Sequence, residues 1–470
     1  MIASAMDDRF LAFEYKLKAD GAPRILIDNF RRQYQHLTEG QTGLVPLHTL
    51  EPVPDLTRAE SFERFDAAGQ KALSRCVMIK LNGGLGTSMG LEKAKSLINV
   101  KRGLSFLDVL ARQVIHIRRT SRVPLPFLLM NSFSTDGDSL HVLAGYPDIQ
   151  RGQEDFPLSF LQHRVPKVRK DDLLPVTWPQ NPEKEWCPPG HGDLYAALLT
   201  SGLLEKLLAK GFDFAFVSNC DNLGATLDGR MLGYFAERDT PFMMEVTERT
   251  EADCKGGHLA RLRGGGLVLR ERAQCPTGEV DDFQDIRKHR YFNTNNLWLN
   301  LRHIGSYLDS TGGVLDLPLI MNRKTVDPRD PDSPEVIQLE TAMGSAISVF
   351  PGSEALSVPR TRFAPVKTTD DLLALWSDAY ALTEDFYIVL HPSRKNGPPV
   401  VKLDPAHYRI IDDFLARFPS GAPSMLQCDS LTVKGDVQFG RNITLRGDVV
   451  VKNTDAMQMT IADGMTLSGS

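Results

Sequence analysis

Several signatures that would settle the chemistry at once are missing from this chain. Its 470 residues contain no Gly-Lys dipeptide, which excludes a Walker phosphate loop. The glycines between Asn82 and Gly90 do not have the spacing of the dinucleotide fingerprint. Cys76, Cys187, Cys220, Cys254, Cys275 and Cys428 form no Cys-x-x-Cys pair, so no zinc site is expected and the thiols read as free, in a reducing cytoplasm. No apolar run approaches the ~20 residues that cross a bilayer. Met1 to Phe10 brings acids where a signal peptide has a basic start and an apolar stretch, so neither a membrane nor secretion is expected. A net charge of -5 argues against a nucleic-acid partner and is compatible with a local basic pocket. With 42% hydrophobic and 24% charged residues the chain is an ordinary globular protein, long enough for two or three domains with cores of their own.

What is present is concentrated between Val77 and Val100. Val77-Met78-Ile79 reads as a buried strand that feeds directly into Asn82-Gly83-Gly84-Leu85-Gly86-Thr87. Three glycines in four positions allow positive φ and a close approach of a ligand to the main chain. Successive N–H groups in such a turn form an anion nest, to which a nearby helix start would add its dipole. Lys93 and Lys95 follow as charges within reach of a phosphate chain. A strand, a glycine loop and then lysines make the layout of a nucleotide-phosphate site; a tight turn without a ligand is the alternative.

Ahead of this stretch, Phe10, Phe13 and Leu17 stand at helical spacing, Ile25 to His36 predicts a second helix beside the first, and Ser61 to Ser74 a third. After it, Phe106 to Arg119 predicts an amphipathic helix with Leu107, Leu110, Val114 and Ile117 on one face. Phe127 to Met130 predicts a strand buried on both sides, so the region reads as a βαβ unit. A helix from Leu194 to Lys210, a strand from Phe212 to Ser218 and another from Phe242 to Val246 continue the alternation. The central region is therefore α/β with a mainly parallel sheet, its ligands lying beyond the carboxyl ends of the strands. In the tail Leu431, Val437, Ile443 and Val449 recur every sixth residue, as do Val433, Phe439, Leu445 and Val451. After Asn453 to Gln458 the beat resumes with Met459/Met465 and Ile461/Leu467, which predicts a short parallel β-helix; a pair of ordinary strands is the alternative.

Four polar stretches carry further candidates. Pro188-Pro189-Gly190-His191-Gly192-Asp193 is a rigid loop that fixes His191, with Asp193 as a helix N-cap. Asn219-Cys220-Asp221-Asn222 follows a buried strand, where a carboxylate is placed to hold Mg²⁺, though Asp-Asn-Leu-Gly is equally a turn. Asn293-Thr294-Asn295-Asn296, beside the strand Leu297 to Leu299, offers amides that suit sugar hydroxyls or Asx turns. Arg362 to Thr369 brings Lys367 into a proline-stiffened segment, where by itself it reads as a surface charge.

The run Lys80-Leu81-Asn82-Gly83-Gly84-Leu85-Gly86-Thr87-Ser88-Met89-Gly90, closed by Lys95-Ser96-Leu97, resembles the nucleotide loop of the eukaryotic-type UTP–glucose-1-phosphate uridylyltransferase family, also called UDP-glucose pyrophosphorylases. Ser88 stands where the general sugar nucleotidyltransferase loop has arginine, and Glu92-Lys93-Ala94 departs from the small residues and proline usual before the second lysine. The other blocks follow in the family's order over nearly the whole chain. The resemblance implies UTP + glucose 1-phosphate ⇌ UDP-glucose + pyrophosphate, with Mg²⁺ at Asp221. It places Leu81, Asn82, Gly83, Gly84, Lys95, Gln162, Gly190, Asp221 and Lys367 at the nucleotide, Gln162 reading the uracil edge. His191, Asn219, Cys220, Asp221 and Asn295 fall to the sugar phosphate, Lys95 and Lys367 to catalysis. Lys255-Gly256-Gly257 and Glu340-Thr341-Ala342 match family stretches near the sugar. The implied architecture is an N-terminal helical region (1–74), a Rossmann-like nucleotidyltransferase domain (75–385) and a C-terminal domain with a left-handed β-helix (386–470). In the family that helix is linked to contacts in a homo-oligomer; with a tail this short, the octamer of the animal members is not expected. A UDP-sugar or UDP-N-acetylhexosamine pyrophosphorylase is the neighbouring enzyme reading, and a nucleotide-sugar binding or assembly protein the non-enzyme one.

Overall fold

The computed structural model describes residues 2–328 and 330–469; Met1 and Ser470, the outer limits of the expected domains, lie outside the described residues. The apolar run after Arg75 forms strand β1 (Cys76–Asn82), and the run after Pro126 forms β2 (Phe127–Asn131). Cys76 and Met78 face one apolar cluster and Val77 and Ile79 another; Phe127 and Leu129 alternate with Leu128 and Met130 in the same way. Burial on both faces is why these strands read as continuous apolar runs.

Further along the chain come β3 (Ser159–Leu161), β4 (Phe214–Asn219), β5 (Phe242–Glu248) and β6 (Tyr291–Asn300). The sheet runs β3-β2-β1-β4-β6, and β5 pairs with β6 as a branch. The first four are mutually parallel and β6 runs against them. Followed through all pairings, seven of the ten strands share one direction; β6, Leu267–Arg270 and Leu50–Glu51 run the other way. The fold is mixed α/β with a mainly parallel central sheet.

Helix Phe106–Ser121 starts at a capping box between Ser105 and Asp108 and buries Leu107, Leu110, Val114 and Ile117 against one face of the sheet. The opposite face is covered by Leu194–Thr200, Leu203–Ala209 and Leu301–Ser310. The single helix expected over Leu194 to Lys210 is two, because Gly202 adopts φ +71° and ends the helical path there.

The first two helices, Ile2–Ala19 and Arg24–Thr38, pack Phe10, Phe13, Phe30 and Tyr34 ring against ring. They lie on a three-stranded sheet through Leu319, Ile337 and Leu339. The third helix is only Asp66–Leu73, preceded by 3-10 turns, and it packs elsewhere: Phe62 stacks on Tyr234 of helix Gly229–Arg238 at 4.2 Å.

At the C-terminal end the strands Val400–Lys402, Ser424–Lys434, Thr444–Lys452 and Thr466–Ser468 pair in parallel, and Val437–Phe439 pairs with Met459–Ile461. Leu431 faces Val449 and Val433 faces Val451, eighteen residues on, which is three steps of the six-residue beat. Across Asn453 to Gln458 the offset grows to twenty-two, as in Phe439 opposite Ile461 and Leu445 opposite Leu467. Leu431, Val433, Val437, Phe439, Ile443 and Leu445 form a buried column continuous with the core under β1. Met465 does not join it: it is 43% exposed, beside a strand at the sheet's edge. Among the described residues no helix is long and apolar enough to cross a membrane.

Phe439→Ala, which opens a cavity in this column, is expected to lower stability by about 3–5 kcal/mol. Met465→Ala should stay within ~0.5 kcal/mol of the parent. Urea unfolding of the two variants checks the assignment; equal losses would mean that the column is misplaced.

Candidate active site

The carboxyl ends of β1 to β4 lie side by side, and the loops that leave them enclose a cleft of about 360 Å³. Leu81, Asn82, Gly83, Gly84, Lys95, Gln162, Gly190, His191, Asn219, Cys220 and Asp221 all line it, together with Glu340. Of the thirteen residues singled out from the sequence, Asn295 and Lys367 do not.

One of the loop's three glycines takes the positive φ that the sequence allows, and no helix start adjoins the loop. Positive φ occurs at Gly86 and Gly90, not at Gly83 or Gly84, and the loop continues into the 3-10 turns Thr87–Met89 and Lys95–Leu97 without an α-helix. The expected helix dipole is therefore absent. A Cβ on Gly83 would stand 2.8 Å from Gln162 Oε1, so a larger residue there would displace the end of the Gln162 side chain. The loop folds back on itself, with Lys95 N donating to Gly84 O at 3.2 Å, and this brings Lys95 Nζ to 2.7 Å from Asp221 Oδ2. Lys93 is exposed and does not line the cleft.

Side chains at the strand ends are tied down from below. Asn82 Nδ2 donates to Asn131 Oδ1 and Ser139 Oγ, both at 2.7 Å, and Ser132 Oγ donates to Gly83 O at 3.0 Å. Gln162 Nε2 donates to Gly190 O at 3.0 Å, which joins the uracil-edge candidate to the histidine loop. That loop leans on Thr341: Gly192 N donates to Thr341 O and Thr341 N to Pro189 O, both at 2.9 Å. Gly190 has φ +82°, and a Cβ on it would lie 2.3 Å from Thr341 O.

Asp193 takes the expected N-cap position of helix Leu194–Thr200, but its side chain makes no capping hydrogen bond. Its carboxylate accepts from His163 N at 2.7 Å and meets His163 Nδ1 at 2.8 Å, because the preceding turn points it back at that strand end. His191 accepts the Met343 N–H at Nδ1 (3.0 Å), and burial lowers its pKa to about 4. At neutral pH the ring is uncharged, and Nε2 carries its proton.

The third part of the site comes from two distant segments. The backbone from Asn222 pairs with Pro365, Val366 N donates to Asp221 O at 3.2 Å, and Ala364 N donates to Asn222 Oδ1 at 3.0 Å. The residue just before Lys367 is thereby hydrogen-bonded to Asp221. Its ammonium rests over the rings of Phe292 (5.5 Å) and Phe363 (5.6 Å), a cation–π perch, and the side chain is exposed.

The amide run Asn293 to Asn296 lies inside β6, not beside a strand. A register shift between Glu245 and Val246 of β5 opposes it, and Asn295 takes φ +57° with its N–H on Asn293 Oδ1 at 2.9 Å. The sequence reading missed Glu271. It sits against Gly257, and burial raises its pKa to about 6 while the Lys367 charge opposes the rise. Asn131 was missed too, although it ends an apolar run just as Asn82 does.

Comparison with known proteins decides what this arrangement is. A family model described as UTP--glucose-1-phosphate uridylyltransferase matches residues 27–446. The chain belongs to the UTP–glucose-1-phosphate uridylyltransferase family. It is 43% identical to the UTP--glucose-1-phosphate uridylyltransferase of Saccharomyces cerevisiae, over 84% of this chain and 77% of that one. With the probable enzyme of that name from Schizosaccharomyces pombe it shares 40% over 94% of this chain and 86% of the relative. A crystal structure of a UDP-glucose pyrophosphorylase variant from Leishmania major in complex with UDP-glucose superposes with a TM-score of 0.91 at 43% identity, covering 98% of both chains. A Trypanosoma brucei structure described as UDP-glucose phosphorylase gives 0.89 at 46%, again covering 98% of both. The resemblance carried by the glycine loop is borne out.

In this member of the family the His191 pKa has a consequence for stability. A folded-state pKa of about 4, below the unfolded 6.5, means that protonation favours unfolding. Stability is full above 6.5 and falls as the pH drops through that window toward about 4. His191→Asn, whose amide oxygen can still accept from Met343, should show a shallower acid decline in urea midpoints. Parallel curves for parent and variant would count against a neutral His191.

Proposed function

We propose that the chain catalyses UTP + glucose 1-phosphate ⇌ UDP-glucose + pyrophosphate. The observation that carries this reading is the convergence of the glycine loop, Gln162, His191 and the Lys95–Asp221 contact of 2.7 Å in one cleft. A phosphate oxygen of glucose 1-phosphate attacks the α-phosphorus of UTP. The new P–O bond forms as the bond to the leaving pyrophosphate breaks, so no protein nucleophile or strong base is required. The barrier lies in bringing two polyanions together.

Leu81, Asn82, Gly83 and Gly84 present main chain to the nucleotide, Gln162 reads the uracil, and Gly190 closes that side. His191 offers Nε2–H to the sugar phosphate, with Asn219, Cys220, Asp221 and Asn295 completing that subsite. Lys95 and Lys367 place positive charge on the reacting phosphates. Lys367 leaves its aromatic perch for them, a reach that its four-carbon stem permits. Holding the attacking oxygen in line adds the proximity effect.

Asp221 at a strand end is a donor suited to Mg²⁺. Among the described residues no three His, Cys, Asp or Glu side chains converge, so the remaining ligands would be substrate oxygens and water. When bound, Mg²⁺ supplies charge neutralisation on the phosphates. The domain limits 1–74, 75–385 and 386–470, a C-terminal left-handed β-helix serving contacts between copies, and a cytoplasmic setting for six free thiols belong to the same reading.

Lys367→Ala is expected to lose at least ~100-fold in turnover while melting like the parent. Pyrophosphate release from UTP and glucose 1-phosphate, measured in a coupled assay with other sugar 1-phosphates alongside, checks both residue and substrate. Near-parental turnover in Lys367→Ala would remove that lysine from the mechanism. UTP binding without pyrophosphate release in the parent would leave only a binding protein.

A further inference from the structure

A buried ion pair outside the cleft joins the segments that supply Asp221, the amide run and Lys367. Glu245, fully buried at the bulge of β5, accepts from Arg362 Nε at 2.8 Å and from Arg362 Nη2 at 2.7 Å, a forked pair. The same carboxylate accepts from Asn296 Nδ2 at 3.0 Å and Trp298 Nε1 at 2.9 Å. The guanidinium continues to the loop after Asp221, where Nη2 donates to Thr226 O at 2.8 Å and Nη1 to Thr226 Oγ1 at 3.2 Å. Arg362 O in turn accepts from Asn222 Nδ2 at 3.2 Å and from Asn296 Nδ2 at 3.3 Å. The fit is close: a Cβ on Gly224 would stand 2.4 Å from Thr361 O.

A forked, fully partnered buried pair is a poor way to gain stability, because taking both charges out of water offsets most of their attraction. It is a good way to fix geometry, since each group has one arrangement that satisfies it. Lys367 is the fifth residue after Arg362, and Ala364 and Val366 between them are hydrogen-bonded to Asn222 and Asp221. The geometry points to Arg362 and Glu245 as positioning residues that hold the backbone of Lys367 against the Asp221 loop and the amide strand. They touch no reacting atom and act through Lys367. This role rests on the reading of Lys367 given above.

The test is kinetic. In E245Q/R362M the single amide oxygen still accepts from Trp298, Asn296 keeps its bond to the main-chain oxygen of residue 362, and no buried charge is left alone. Its kcat is expected to fall by about 30-fold or more, the loss that follows a misplacement of roughly 1 Å. Its Kd for UTP, by calorimetry, and its melting temperature should stay near the parent's. E245D, which keeps both charges and shortens the reach, should lose about tenfold in kcat with UTP affinity unchanged. It decides the matter alone if the double variant does not fold. Full turnover in either folded variant overturns the proposal, and so does loss of UTP affinity and kcat in proportion to a fall in melting temperature, which marks a merely structural pair. Lys367→Ala is run beside them: an active Lys367→Ala sinks the role of Lys367 itself, whereas an inactive Lys367→Ala with active Arg362 and Glu245 variants sinks only the positioning.

Discussion

Everything at the cleft depends on the parallel register of four strands. Lys80 lies opposite Ser218, Leu81 opposite Asn219, Asn82 opposite Asn131, and Asn131 opposite Leu161. Because these strands run in one direction, their loops emerge at one edge and at one height. A slip of a single residue would turn each side chain to the opposite face. Lys80, fully buried in this sheet, pins the register. Its Nζ donates to Ser218 Oγ at 2.6 Å on the neighbouring strand and to Ala225 O at 2.9 Å in the loop beyond. Among the described residues no carboxylate is hydrogen-bonded to that amine, and burial lowers its pKa to about 8. Such a group tolerates little displacement, since moving it would strand a buried donor.

The parts of this design that are legible in the sequence are those set by local pattern. β1, β2 and β4 show themselves as apolar runs because both faces are buried, and the glycine loop is visible because it follows one of them directly. The tail's beat is visible because residues eighteen apart, three repeats, stand opposite one another in parallel strands. The assignment to the family follows from the order of several such blocks, which no single motif provides.

What escaped the sequence is set by partners far along the chain. Asn293 to Asn296 look like a turn because four polar residues seldom run through a sheet. They do so here because Glu245, some fifty residues earlier, gives Asn296 a buried acceptor. Asp193 stands at the cap position but its carboxylate serves His163 instead, and Glu271 gives no signal until Gly257 and Lys367 close around it. Glu245 did leave a trace, as a lone carboxylate inside the apolar strand Phe242 to Val246. A charge in that position requires a buried partner.

The arrangement of charge explains why a cleft meant for polyanions need not be strongly basic before they arrive. Lys95 is neutralised by Asp221, Lys367 is spread over two aromatic faces near Glu271, and His191 is uncharged. Unpaired lysines crowded into one pocket would repel one another and depress their own pKa values, losing the charge on which the site depends. Each instead rests on a contact of its own, Lys95 on the Asp221 carboxylate and Lys367 on the rings of Phe292 and Phe363. On the function proposed above, binding phosphate would exchange these contacts for new ones, so that neither nucleotide nor pyrophosphate would be gripped beyond release. For a reaction that runs in both directions between two pairs of polyanions, a contact speeds the step only where it is stronger in the transition state than in either bound ground state.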